Sequence, residues 1–322
     1  MKKVFRSAAV LGFALSIAMS SCKKKEEVEA DEFSTQQTTV TDNSAGMESA
    51  DDVADDASAA YDQDLSNSSR VEKVVLGKDT LNVAKIKDGV VVKDLQTGVI
   101  TITYAGTNLN DRGRKKQGVV KISKTGTWGV EGTTHTITFE NLKVTRESDN
   151  KSVTLNGTKT ITNLSSGKFG DILAGKPFNQ KVRGTLSLTF DDASVRSWTI
   201  TRKRITAIEK GMTALKIVGD TTINGVSGIA ETGSTRGNYA FTHSIVDTII
   251  FRGCGLRPRL VAGKELHKIS SDNYPAGKEI TIEAGLDAAG NKPTTECEAT
   301  SVKISWTNKR NVPKTAIVRV VK

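Results

Sequence analysis

VITITY, Val99 to Tyr104, alternates apolar and polar side chains, with Ile100, Ile102 and Tyr104 on one side and Thr101 and Thr103 on the other. A period of two is the mark of a strand buried on one face only. Threonine suits the outer face because its β-branch favours the pleat while its hydroxyl tolerates water. The same alternation returns in TLSLTF (Thr185–Phe190) and in SVKISW (Ser301–Trp306). No stretch after Arg70 shows a sustained helical period, so the chain from residue 71 reads as all-β.

Turn signals separate these runs. NDRGRKKQG (Asn110–Gly118), NGTK (Asn156–Lys159), FDDAS (Phe190–Ser194) and AAGNKP (Ala288–Pro293) each hold Gly, Asn or Asp, the residues that tight connections favour. Parallel pairing needs a crossover of a dozen residues or more, so strands this closely spaced pair antiparallel. The body is expected to be a large antiparallel meander of roughly fifteen to twenty strands. Open sheets rarely exceed about ten strands, so it is either curled or packed as a two-sheet sandwich. A break into two domains, if present, falls near AIEKGMTALK, Ala207 to Lys216. Tyr104, Phe139 and Phe190 end similar strands at unequal intervals, which excludes a repeat protein.

The N-terminus carries a different signal. Lys2, Lys3 and Arg6 precede an apolar run, Ala8–Ala18, shorter than the roughly 20 residues of a permanent membrane helix. Residues 1–21 therefore read as a secretory signal peptide, with Ser20 and Ser21 as the small residues before cleavage. AMSSC resembles the lipobox of bacterial lipoproteins, with Met19 where leucine is usual. That resemblance implies acylation of Cys22, and several acyl chains anchor stably where one does not. Lys25-Glu26-Glu27 resembles the lysine-then-acids export signal of Bacteroidota lipoproteins. SSCKKKEE, threonine-rich hairpins such as SWTITRKRIT, and a late cysteine pair are similar to Bacteroidota-type lipoproteins of unknown function. The resemblance implies a cell-surface address on the outer membrane, or its periplasmic face, together with a β body; it implies no activity.

Charge divides the chain in two. From Glu26 to Ser69 there is no lysine or arginine. Residues 1–70 hold 7 bases and 13 acids, leaving 39 bases and 23 acids in residues 71–322, a net of +16. Residues 22–70 read as an acylated cysteine and a disordered acidic tether, because so polar a segment buries too little apolar surface to order itself. The basic body suits polysaccharide or another polyanion, with no specific nucleic-acid recognition expected. The same lysines also serve to keep sheet edges soluble. The acidic tether could fold back on the basic body and weaken any anion site there.

Candidate sites are few. Cys254 and Cys297 are the only thiols left once Cys22 is acylated, and an exported pair has a single connectivity. Arg112, Arg114, Lys115 and Lys116 concentrate on one hairpin tip, as an anion site or as a solvated loop. Trp128 lies in KTGTWGVEGTT, where it can stack on a sugar ring or cap the end of the sheet. Trp198 and Trp306 are in phase with Ile200 and Ile304 and read as core. His135, His243 and His267 are scattered without zinc-site spacing, so no metal ligand is named. His243 shares a strand face with Tyr239 and Phe241 and reads as a packed residue. Asp191 and Asp192 are accounted for by turn chemistry. There is no G-x-S-x-G elbow and no P-loop, and no cofactor or catalytic residue is indicated. The expectation is a lipid-anchored, non-catalytic envelope protein, structural or binding. A carbohydrate- or polyanion-binding protein, and a hydrolase with an unrecognised site, are the alternatives.

Overall fold

The computed structural model describes residues 38, 42, 46–47, 49–61, 78–84, 86–110, 113–127, 129–167, 169–255, 257–271, 279–308 and 311–320. Strands make up 62% of it against 10% helix, which places the chain in the all-β class. The strands are β1 (Lys78–Leu81), β2 (Gly89–Asp94), β3 (Ile100–Ala105), β4 (Arg114–Thr125), β5 (Thr134–Arg146), β6 (Ser152–Asn163), β7 (Phe178–Phe190) and β8 (Val195–Glu209). They continue with β9 (Met212–Gly219), β10 (Thr221–Ile223), β11 (Val226–Ser234), β12 (Ala240–Cys254), β13 (Arg257–Ile269), β14 (Glu279–Leu286), β15 (Ser301–Thr307) and β16 (Pro313–Arg319). Helical segments are α1 (residues 49–61), α2 (Phe169–Leu173) and a 3-10 turn at Glu296–Glu298.

All sixteen strands belong to one antiparallel sheet. β1 to β8 follow one another in sequence order, and so do β11 to β16. The two runs join at a fork. Trp198–Ile200 of β8 pair with β11, while Arg202–Glu209 pair with β9. β9 also pairs with the far half of β12, at Ile249–Arg252. Gly219 is required where the fork closes: a Cβ there would lie 1.9 Å from the Gly228 carbonyl oxygen. The segment 207–216 is the β8–β9 hairpin, with Lys210 and Gly211 both at positive φ (53° and 74°). That pair of dihedrals matches the twist of the flanking strands.

The alternation read from the sequence is seen directly. Ile100, Ile102 and Tyr104 are buried, and Thr103 between them is exposed. Trp198 and Trp306 are core residues, 1% and 8% exposed. FDDAS is a turn in which Asp192 Oδ1 accepts hydrogen bonds from the Ser194 amide and hydroxyl. NGTK is not a turn. It lies inside β6 opposite a bulge in β5, where Asn156 Oδ1 accepts the Asn141 amide at 2.8 Å. The side chain satisfies the amide that the bulge would otherwise leave unpaired.

Cys254 and Cys297 form a disulfide, with their Cα atoms 5.5 Å apart, tying the end of β12 to the 3-10 turn. Closing that 43-residue separation contributes about 4 kcal/mol in the chain-entropy account.

The acidic segment does not behave as a tether throughout. SADDVADDASAAY, residues 49–61, is a helix buried against the sheet. Alanine is the strongest helix former. Ala50, Val53, Ala54, Ala57 and Tyr61 recur at the three-and-four spacing of an amphipathic stripe. They join one core cluster with residues of β2 to β8, and with Phe241 of β12 and Ile269 of β13. The sheet therefore curls around α1. Smaller clusters form between β14, β15 and β16, and between β9, β11 and β12.

Candidate functional site

Residues paired across neighbouring strands share a face of the sheet. One such row on the inner face runs Ile122, Ile137, Lys159, Gly184, Ile200, Glu231, His243, His267, Ile280 from β4 to β14. It begins and ends apolar and is charged in the middle. Lys159 and Glu231 are fully buried, and His243 and His267 nearly so. A buried charge is tolerated only when paired.

The pairing of Lys159 comes from α1. Its Nζ contacts Asp51 Oδ1, which Arg204 Nη2 of β8 also reaches at 2.5 Å. Burial alone would raise the Asp51 carboxyl, but Arg204, Lys159 and Arg202 outweigh it and hold it well below the usual range. Burial pushes the Lys159 ammonium down to about 8, despite the opposing pull of Asp51. One turn on, Lys116 Nζ sits 2.9 Å from Asp52 and 2.6 Å from Asp56. The Tyr104 hydroxyl donates to Asp56 at 2.7 Å, and Asn110 Nδ2 donates to Asp52 at 2.7 Å. Toward the other end, Arg236 grips Asp42 with two hydrogen bonds of 2.6 and 2.7 Å. Gly46 allows close docking, since a Cβ would come within 2.9 Å of Leu188 and 3.4 Å of Trp198. At the end of α1 the Tyr61 ring meets His135 edge-on, centroids 5.1 Å apart. Burial and the nearby Lys124 push the His135 imidazole down to about 4.

A second charged group continues from the first through Arg202, whose Nη1 is 3.8 Å from Glu231 Oε1. His243 lies between two carboxylates, Nδ1 3.2 Å from Glu231 and Nε2 3.6 Å from Glu265. His267 Nε2 is 3.7 Å from Glu265, and the two imidazoles stack at 4.2 Å with planes 6° apart. Burial opposes charge on His243, but Glu265 and Glu231 overcome it and push the imidazole up to about 10. Burial would raise Glu231, yet His243 and Arg202 bring it down to about 2. Burial and the neighbouring His243 lower His267.

The residues singled out in the sequence are dispersed. Arg114 and Lys116 of the basic run turn inward and are buried, whereas Lys115 faces out, because the run starts β4 and strand residues alternate. Arg114, Lys115 and Lys116 thus form no single exposed anion patch; Arg112 lies outside the described residues. Cys22 and Trp128 also lie outside them. His243 and His267, far apart in sequence, are brought face to face by the β12–β13 register. Asp51, Lys159, Arg202, Arg204, Glu231 and Glu265 escaped the sequence reading. Lys159 carried a legible signal: in β6 it falls in phase with Val153, Leu155 and Ile161, an apolar phase that a lysine does not join without a partner.

No protein-family model, no curated protein and no solved structure matches the chain.

Removing one partner of a buried pair leaves the other charge uncompensated. Asp51→Ala is expected to lower unfolding stability by about 3–5 kcal/mol, and Lys159→Met by clearly less, since Arg204 still meets Asp51. Denaturant titration of both variants checks this, and a loss under about 1 kcal/mol for Asp51→Ala would place that carboxylate in water. His135 gives a pH dependence of known sign. The unfolded imidazole gains its proton near 6.5 and the folded one near 4, so the unfolded state binds more protons between those values. Stability therefore falls as pH drops from 6.5 to 4. His135→Leu should flatten that slope by about one proton's worth in denaturation measured at stepped pH; equal slopes in both proteins would contradict the burial of the ring.

Proposed function

We propose that the chain is a lipid-anchored, non-catalytic envelope protein whose binding face is the basic inner floor beneath α1. One observation carries the binding reading: Lys116, Lys159 and Arg204 collect on the concave side of the sheet and are matched by carboxylates on a separate segment. Such a floor suits a carboxylate-bearing polyanion, and α1 is its resident occupant. Two features support exchange. The apolar contacts of α1 are mostly alanines, which gain little from burial. Buried ion pairs also hold less net stability than hydrophobic residues of the same volume.

The leader and Cys22 support anchoring through acyl chains at the outer membrane. Residues 38, 42, 46 and 47 are already helical, and Asp42 is bound by Arg236, so the chain has reached the body by residue 42. The body then hangs closer to the headgroups than a tether running to residue 70 would allow. The carboxylates of the site are engaged by cations of α1's floor or of the histidine row, an arrangement that favours binding over hydrolysis.

Binding of polygalacturonate to the full chain, followed by calorimetry, tests the floor. Asp52→Asn with Asp56→Asn frees Lys116 and should tighten binding about tenfold, equivalent to ~1.4 kcal/mol, with the gain fading at high salt. Unchanged binding would remove α1 as the competitor. Fatty-acid labelling that is present in the native chain and lost in Cys22→Ala is expected; an unlabelled native chain would contradict the anchor.

A further inference from the structure

His243, Glu265 and His267 each present a ligand-type atom, and these atoms all lie within 4.8 Å of one another. The backbone fixes this arrangement. His243 and His267 are direct cross-strand partners, and Glu265 is two residues before His267 on the same face of β13. We propose that these three side chains form a divalent transition-metal site, for which Zn2+ is the suited ion.

The donor set is right for that class: imidazole nitrogen and carboxylate oxygen bind zinc at about 2.0–2.2 Å. Bonds of that length at tetrahedral angles put ligand atoms roughly 3.4 Å apart. His243 Nε2 is 3.6 Å from Glu265 Oε1 and His267 Nε2 is 3.7 Å from Oε2, each near that spacing from its own oxygen of the carboxylate. Both Nε2 atoms face the Glu265 carboxylate, and binding one ion turns the two rings out of their parallel stack so that both in-plane lone pairs meet it. Neither ring nitrogen of His243 is in hydrogen-bonding geometry, although both lie beside carboxylates. With a metal at Nε2 the ring gives up the proton that Glu265 otherwise holds there and keeps only the one at Nδ1. Glu231 then stands next to Nδ1, the outer carboxylate that orients a ligating histidine. Arg202 in turn stands beside Glu231. The Glu265 side chain is 23% exposed while both histidines are nearly buried. Its side of the cluster therefore gives the ion a way in, and a solvent molecule the fourth position.

The ion would cross-link β12 to β13, separately from the floor beneath α1. The test uses the full chain, stripped with a chelator and titrated with Zn2+ by calorimetry. One equivalent should bind, and at a hundredfold excess over Kd the unfolding midpoint should rise by about 4 °C or more. Co2+ should give the visible absorption of a four-coordinate nitrogen-ligated ion. Glu265→Gln and His267→Phe should each weaken binding at least tenfold, and Glu231→Gln by roughly tenfold through the ring it orients. His135→Gln, a buried histidine outside the cluster, should bind as the native chain does. No uptake by the native chain would overturn the site, and so would equal affinity in Glu265→Gln and His267→Phe. Because the native chain is measured directly, a variant that fails to fold does not shield the proposal.

Discussion

A lysine with no exposure stands in the middle of an apolar sheet face, and the rest of the inner architecture follows from satisfying it. Burial lowers the Lys159 ammonium only to about 8, so at neutral pH it is still mostly a cation. An unpaired cation there would cost several kcal/mol. Its strand neighbours across the row are Ile137 and Gly184, neither of which can compensate it. The carboxylate arrives from outside the sheet, on α1, 108 positions away in sequence. Once Asp51 is placed, the helical period sets Asp52 and Asp56 over Lys116 and the alanine stripe over the hydrophobic rows. The ion pairs add little net stability by themselves. Their effect is to penalise every other seating of the helix.

The same constraint explains the charge split of the sequence. An acidic segment and a basic body look, as compositions, like a solvated leash and a sticky surface. In the fold four of the segment's acids meet cations of the body, inside. Arg114 and Lys116 turn inward, and Asp42, Asp51, Asp52 and Asp56 are buried against cations of the body. Lys115, Lys121, Lys203 and Lys268 are among the cations that remain outward.

Much of the fold was legible in particular residues. Ile100, Ile102 and Tyr104, and Leu186, Leu188 and Phe190, alternate as half-buried strands must, and all are core. FDDAS was legible as a turn because Asp192 accepts the Ser194 amide and hydroxyl within it, while Asp191 accepts from Ser152 at the start of β6. NGTK misled because Asn-Gly also suits a bulge, and only the partner strand distinguishes the two. Residues 49–61 misled for a different reason. The acid content argued for disorder, although the spacing of Ala50, Val53, Ala54, Ala57 and Tyr61 already described a helix face. Composition weighed the carboxylates as a cost, whereas opposite charges on the sheet turned them into contacts. The histidine cluster was not legible, because it depends on the register of β12 against β13.

Amide hydrogen exchange of the full chain near pH 7, resolved across residues 49–61, bears most directly on this account. Docking of α1 by buried ion pairs predicts clear protection there, below that of β5 to β8, and its selective loss in Asp51→Ala. Exchange of residues 49–61 at unprotected rates, while those strands stay protected, would contradict it.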